Sequence, residues 1–334
     1  MSVIIKTPCR LHFGLIDMNG ALGRIDGGVG LALNTPNVII EARLSNRLEV
    51  TGRKAGLARG IVKMVMKHYK MRGGAFVKVI DLIPEHVGLG STTQLSLAIA
   101  KCLTELHNIK ATAEELATVV KRGGTSGIGV AAFEYGGFIL DGGHTFGRGK
   151  EKECFLPSKA SKAPPPPILA RYKVPYDWLF VLVIPNIAKG AHGEREVKIF
   201  TKYCPITVNE VRRISHIILM KILPSVASPN IEEFGEGLSE IQNFGFKKIE
   251  IELQHPIARE LISKLKEVSY GTGMSSFGPT VYALVKGRAM TEKVKTTAEE
   301  LLSSRKLTGN VIVAEVNNSG ASLSFHKSEI DNKC

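Results

Sequence analysis

The sequence predicts an α+β protein built in two halves. Three observations lead there. Short β-branched runs alternate with amphipathic helical patterns along the chain, and a proline-rich break divides it near the middle. With 334 residues, 44% of them apolar, the chain can also bury one or two full cores without disulfide staples.

Runs rich in β-branched residues at 3–6, 38–43, 76–81 and 138–141 read as strands. Helical patterns lie between them at 55–69, 92–107 and 112–122. In the second, Leu95, Ala98, Ile99, Cys102, Leu103 and Leu106 recur at helical spacing and form one apolar stripe. The stretch PSKASKAPPPP at 157–167 then interrupts the pattern. Its four consecutive prolines cannot donate backbone hydrogen bonds and favour an extended chain. It reads as a long connection at a domain boundary, as a flap, or as a plain surface loop. After it, WLFVLVI at 178–184 reads as a buried strand. Helical patterns at 208–223, 231–244, 256–268 and 291–303 follow, with strands at 281–285, 311–316 and 322–326. The two halves are placed at 1–165 and 166–334.

Lysine and arginine exceed aspartate and glutamate by 44 to 31, a net charge of +13. Such an excess serves solubility or attraction to polyanions. Nucleic acid is disfavoured as the partner. Aromatic residues are only 6%, the charge is scattered in small clusters such as Lys247-Lys248, and no zinc-finger, helix-turn-helix or RNA-recognition pattern is present. The five cysteines, Cys9, Cys102, Cys154, Cys204 and Cys334, include no CxxC pair, which suits a reducing compartment, with Cys102 in the core. MSVIIKTPCRL has no charged start followed by a long apolar region, and no apolar run reaches membrane-spanning length. The expectation is a soluble cytoplasmic protein with no membrane partner.

PEHVGLGSTTQLSLAIA at 84–100 reads as an anion seat. Gly88 and Gly90 permit close backbone approach, and Ser91 is a plausible N-cap. Thr92, Thr93 and Gln94 then form a first helical turn whose N–H groups lack intrahelical acceptors. The hydroxyls of Ser91, Thr92 and Thr93 can add hydrogen bonds or ligate Mg²⁺. A Walker motif is excluded because no lysine follows the second glycine. Taken alone, the pattern is also that of a capped helix after a tight turn.

Two further stretches make the pattern specific. Pro84-x-x-x-Gly-Leu-Gly-Ser-Thr92, Gly271-Thr-Gly-Met-Ser-Ser-Phe-Gly-Pro-Thr280 and Pro8-Cys-Arg-Leu-His-Phe-Gly-Leu-Ile-Asp17 resemble, in order, the second, third and first motifs of the GHMP superfamily of small-molecule kinases. The resemblance implies an N-terminal domain of the ribosomal protein S5 domain 2 type, a C-terminal α+β domain and a ligand cleft between them. Kinases of the group usually carry Ser-Gly-(Ile/Val)-Asp ahead of a Gly-Gly strand. The matching stretch Thr125-Ser-Gly-Ile-Gly129 has glycine at the Asp position, and glycine cannot orient or deprotonate an alcohol.

RLHFGLIDMNGALGRIDGGVGLAL, EHVGLGSTTQLSLAIA, RGGTSGIGVAAFEYGGFILDGGH and GTGMSSFGPTVYAL resemble more narrowly the β-ribofuranosylaminobenzene 5′-phosphate synthases of archaeal methanopterin biosynthesis. That resemblance implies condensation of phosphoribosyl pyrophosphate with 4-hydroxybenzoate or 4-aminobenzoate, with loss of pyrophosphate and carbon dioxide. It also implies Mg²⁺ and a homodimer. An ATP-dependent GHMP kinase is the alternative, and a nucleic-acid-binding protein the reading from another class.

On this resemblance the expected site residues are these. The loop Gly88, Leu89, Gly90, Ser91, Thr92 and Thr93 and the facing turn Gly273, Ser275, Ser276 and Gly278 hold pyrophosphate. In the glycine-rich segment 17–30, read as a loop, Asp17, Arg24 and Asp26 carry the chemistry. Arg24 clamps a carboxylate or phosphate, and an Asp holds metal or ribose or acts as base. Asp in such a segment is also a common turn former. Lys189 and His192, after the strand at 178–184, are candidate anion contacts or an exposed loop. Metal ligands are left open among Ser91, Thr92 and Asp26. His12 and His86 read as structural histidines, and Glu134 and Asp141 as ordinary strand-end residues.

Overall fold

The computed structural model describes residues 1–326 except 159 and 192. The described residues form three sheets, antiparallel but for one strand pair. In the first, the strand order is Ser322–His326, Ser2–Lys6, Ile39–Ser45, Gly74–Asp81 and Glu49–Gly52, with only the last pair parallel. The second runs Cys9–Asp17, Arg24–Leu33, Phe138–Asp141 and Ile168–Tyr172, with His144–Thr145 pairing beside Arg24–Leu33. The third runs Gly271–Met274, Val281–Lys286, Trp178–Pro185 and Gly309–Glu315.

The predicted strands and helices are found, most within a residue or two of their expected bounds. The helix predicted at 208–223 continues through a π-helical turn, Ile218–Ile222, to Ala227. The 17–30 segment departs from expectation. It is a hairpin, Cys9–Asp17 paired with Arg24–Leu33, and only its tip is a turn. Glycine bias hid the strand, because Gly28 and Gly30 sit where a Cβ would meet Asp141 at 2.6 Å and the Leu11 carbonyl at 2.4 Å. These glycines let helix Ile128–Glu134 lie close on the sheet.

The linear division at 165/166 does not follow the sheets. Ile168–Tyr172 pairs with Phe138–Asp141, and Ser322–His326 returns to Ser2–Lys6. One core cluster crosses between the halves. Phe13 meets Tyr282 at 5.2 Å between ring centroids, and Phe138 and Trp178 both pack on Phe234, at 5.8 and 5.1 Å. Each such buried ring contributes about 1.5–3 kcal/mol of transfer free energy. The cleft between the halves therefore has walls fixed by shared packing. Helix Ser91–Leu106 buries the predicted stripe, Cys102 included, against the first sheet. The proline-rich stretch is a strap rather than a free linker: Pro165 packs on Gly123 and Pro166 on Gly127. No described helix is long and apolar enough to cross a membrane.

Candidate active site

A cleft of about 460 Å³ opens where the two halves meet. Its lining includes Gly88, Leu89, Gly90, Ser91, Thr92 and Thr93 on one side and Ser276, Phe277 and Gly278 on the other. The two glycine-rich motifs thus face each other across it.

The loop is shaped by carbonyls turned back into the protein. Gly88 and Gly90 have φ of 88° and 81°, which a Cβ would strain. The Gly88 carbonyl accepts from the Ser275 hydroxyl at 2.6 Å and from the Arg10 guanidinium. The Val87 carbonyl accepts from the Thr280 hydroxyl at 2.6 Å, and the Leu89 carbonyl from Arg10 N–H at 3.2 Å. The N–H groups of the first turn of helix Ser91–Leu106 lack intrahelical acceptors, an arrangement suited to an anion. Ser91 is not the N-cap. Gly90 takes that place in left-handed conformation, and Ser91 is the first helical residue.

The facing turn divides its labour. Ser276, at φ 50°, and Gly278 reach the cleft. Ser275 is fully buried, and its hydroxyl joins Gly88 to the backbone N–H of His12, 3.0 Å away. Gly273 lies within a buried strand, where a Cβ would strike Gln242 and the Tyr282 hydroxyl at 2.5 Å. These two brace the site from behind. Lys189 lines an adjoining 230 Å³ chamber with Arg195, Gln254 and His255, joined to the main cleft at Ala191, Glu250 and Phe277. His192 lies outside the described residues.

Asp17, Arg24 and Asp26 are not brought to the cleft wall. Asp17 closes the hairpin tip by accepting from Asn19 and Gly20 N–H at 2.7 and 2.9 Å. Arg24 is exposed and donates to the carbonyls of Gly142 and Gly143 at 2.9 and 2.7 Å. Asp26 is fully buried, with one oxygen 2.7 Å from His144 Nδ1 and 2.8 Å from Lys152 Nζ. Asp141 accepts from Gly127 and Gly143 N–H at 2.8 and 3.0 Å, and burial pushes its carboxyl up to about 6. Glu134 lies on helix Ile128–Glu134, away from the cleft lining.

The structure gathers a cluster that sequence reading missed. Arg10 and His12 of strand Cys9–Asp17 line the cleft with Glu250 of helix Gly245–Glu252. Lys247 of that helix, only 1% exposed, contacts Glu250 and donates to the Ser276 carbonyl at 3.0 Å. The Lys247-Lys248 pair is thus half interior, with Lys248 alone exposed. Burial lowers the Arg10 guanidinium to about 10, which leaves it charged at neutral pH. Burial, then the Arg10 and Lys247 charges, hold His12 well below its ordinary value, so its ring is neutral. His12 Nδ1 has no hydrogen-bond partner. Burial raises the Glu250 carboxyl and lowers the Lys247 ammonium, while their pairing opposes both shifts. The spacing of Lys247 and Glu250 three apart, in register with buried Phe246, was the available signal.

Gly129 stands beside the phosphate loop. Its carbonyl accepts from Gln94 Nε2 at 2.8 Å, and a Cβ there would come within 3.2 Å of Thr93 Cγ2. No group of three or more His, Cys, Asp or Glu suited to a metal occurs among the described residues.

Residues 56–137 match the GHMP kinases N terminal domain family and residues 222–303 the GHMP kinases C terminal family. The chain is 43% identical to a protein of Methanocaldococcus jannaschii named β-ribofuranosylphenol 5′-phosphate synthase, over 95% of this chain and 99% of that one. A protein of the same name from Methanothermobacter thermautotrophicus is 47% identical over 85% and 89% of the two chains. One from Archaeoglobus fulgidus is 43% identical over 96% and 98%. Among solved structures, homoserine kinase from Cytophaga hutchinsonii superposes with a TM-score of 0.69 at 14% identity, covering 97% of each chain. Mevalonate kinase from Methanococcus jannaschii gives 0.64 at 13%, over 94% of this chain and 98% of that one. The expected two-domain GHMP fold is the fold observed.

Proposed function

Because the chain belongs to the β-ribofuranosylphenol 5′-phosphate synthase family within the GHMP superfamily, we propose that it is a pentosyltransferase joining phosphoribosyl pyrophosphate to 4-hydroxybenzoate, with release of pyrophosphate and carbon dioxide. The observation that carries this reading is the pairing of a phosphate seat with a bare Gly129. The seat can hold a departing pyrophosphate, but no side chain at 129 is available to activate an alcohol for phosphoryl transfer. The relatives' shared name supports a phenol product, and with it a hydroxyl-bearing acceptor.

The ring carbon bearing the carboxylate attacks ribose C1 as the bond to pyrophosphate breaks. Charge then grows on the leaving phosphate, at the N-terminus of helix Ser91–Leu106. The Ser91, Thr92 and Thr93 hydroxyls stand at the same place, and Arg10 adds a buried positive charge behind Gly88. Mg²⁺ fits beside this seat. A phosphate-bound magnesium keeps several waters and needs only one or two protein oxygens, and the cleft-lining Ser91 and Thr92 hydroxyls would offer them, with the Glu85 carboxylate, one of whose oxygens Lys54 holds at 2.9 Å, beside them. When bound, the ion neutralises charge on the leaving group. Asp26 does not fit as a ligand here, because it is fully buried and absent from the cleft lining, although its Oδ1 has no hydrogen-bond partner.

The test is incubation with Mg²⁺, phosphoribosyl pyrophosphate and carboxyl-labelled 4-hydroxybenzoate. Labelled carbon dioxide is the expected product. Absence of label with consumption of ATP on an alcohol acceptor would replace this reading with a kinase.

A further inference from the structure

The cleft is chemically divided. Its phosphate side combines backbone and hydroxyls with the Arg10 and Glu85 side chains. Leu15, Phe200 and Phe277, the last within the facing turn, also line the cleft. They belong to one apolar cluster stiffened by Phe246, whose ring lies 4.6 Å from Phe200 and 5.9 Å from Phe277 between centroids. The same short helix that supplies Phe246 turns Glu250 to the cleft, at its junction with the Lys189 chamber. A flat aromatic ring suits such a wall, with a hydroxyl at one end turned to the Glu250 carboxylate and the acid group at the other end away from it.

We propose that the acceptor ring lies against Leu15, Phe200 and Phe277 and that Glu250 takes the proton of its para-hydroxyl group. The inference rests on the synthase reading. The proton passes from the phenol oxygen to a Glu250 oxygen, and the oxygen's electron pair moves through the ring. The C–C bond to ribose forms as the C–O bond to pyrophosphate breaks, leaving a dienone. Departure of carbon dioxide returns its bonding pair to the ring as a phenolate, which recovers the proton from Glu250. Carboxylate and product are then both restored.

The surroundings suit a proton acceptor. Burial raises the carboxyl, which makes its anion a stronger base, and the neighbouring Lys247 and Arg10 charges keep the anion accessible. Lys189, Arg195 and His255 line the adjoining chamber with it. Lys247 also holds the Ser276 carbonyl at 3.0 Å, so it keeps a partner when Glu250 is protonated.

The two acceptors separate a base from a structural residue. A para-amine pushes its lone pair without first losing a proton, whereas the hydroxyl gains greatly from deprotonation. Glu250→Gln is therefore expected to lower kcat with 4-hydroxybenzoate by about 100-fold or more, the range of general base catalysis, and with 4-aminobenzoate by less than about tenfold. The wild-type kcat/KM for 4-hydroxybenzoate should rise with pH through an acid limb that the variant lacks. If Glu250→Gln fails to fold with Lys247 unpaired, the double variant Lys247→Met/Glu250→Gln removes both charges and serves the same comparison. Equal losses on the two acceptors, or an acid limb that persists, overturns the inference. Wild-type protein that turns over neither acceptor overturns the synthase reading and this inference together.

Discussion

Asp26 and Glu250 are both carboxylates held against a lysine inside the protein, yet their settings differ. Asp26 faces Lys152 and His144 in a sealed region. The His144 Nε2 in turn meets the Pro164 carbonyl at 2.8 Å, and Lys152 reaches the Leu156 carbonyl at 3.0 Å. Thr125, a cleft residue, donates to that same Leu156 carbonyl at 2.7 Å. The sealed cluster therefore fastens the strap at Pro164 and just ahead of it at Leu156. Glu250 has one lysine partner and borders the cleft. What distinguishes them is access. Both are costly to bury, but only Glu250 lines the cleft.

Breaking the sealed pair is expected to have the largest effect. Asp26 has φ of 68°, which asparagine tolerates, so Asp26→Asn removes charge with little change in backbone demand. It leaves Lys152 buried without its counter-ion, and unfolding by denaturant should show a loss of about 3–5 kcal/mol. Adding Lys152→Met should recover most of that stability and, with it, synthase activity. A double variant that is stable but inactive would return Asp26 to the chemistry.

Gly88→Ala comes next. The new Cβ would lie 2.1 Å from the Ser275 carbonyl, at a φ of 88°. The backbone strain alone is about 1–3 kcal/mol. The loop must move off the facing turn, and KM for phosphoribosyl pyrophosphate should rise about tenfold or more, a penalty of about 1.4 kcal/mol in binding. An unchanged KM would mean that pyrophosphate is not seated there.

The contrast between the clusters also explains what could be read from the chain. The 88–93 loop was legible as an anion seat because Gly88 and Gly90 stand directly before a helix start, and its facing turn only through the family resemblance. The long strands and helices were legible from periodicity. The Arg10, Lys247 and Glu250 cluster was not, because it exists only where helix Gly245–Glu252 lies on strand Cys9–Asp17. In the chain, Lys247 beside Lys248 has the form of solvated charge. Asp17, Arg24 and Asp26 drew attention for the opposite reason. Charged residues among glycines suggest a ligand loop, but here the glycines serve close packing of a hairpin, and the charges tie its tip and edge to 142–143 and 152.

A smaller perturbation is Ser275→Ala. It leaves the buried His12 N–H without the acceptor now 3.0 Å away, while Gly88 retains Arg10. The cost should be about 1–3 kcal/mol by denaturant unfolding, with acceptor KM changed less than that of phosphoribosyl pyrophosphate. A larger shift in acceptor KM would place the acceptor next to Gly88 instead of the Phe200 wall.

The mildest test reads the sealed cluster through its neighbour. Asp141 is raised to about 6 first by burial, against the pull of the Gly143, Gly127 and Gly28 N–H groups and with a further push from Asp26. A carboxyl raised on folding binds its proton more tightly in the native state. Its contribution to stability is therefore complete below the unfolded value of 3.8 and is lost as pH rises through about 6. Carboxyl-carbon NMR should show this late titration in the native protein. In Asp26→Asn the repulsion is gone, so the midpoint should move down towards the ordinary carboxylate range. A midpoint that stays near 6 would assign the shift to burial alone and show that the Asp26 charge is cancelled by Lys152 before it reaches Asp141.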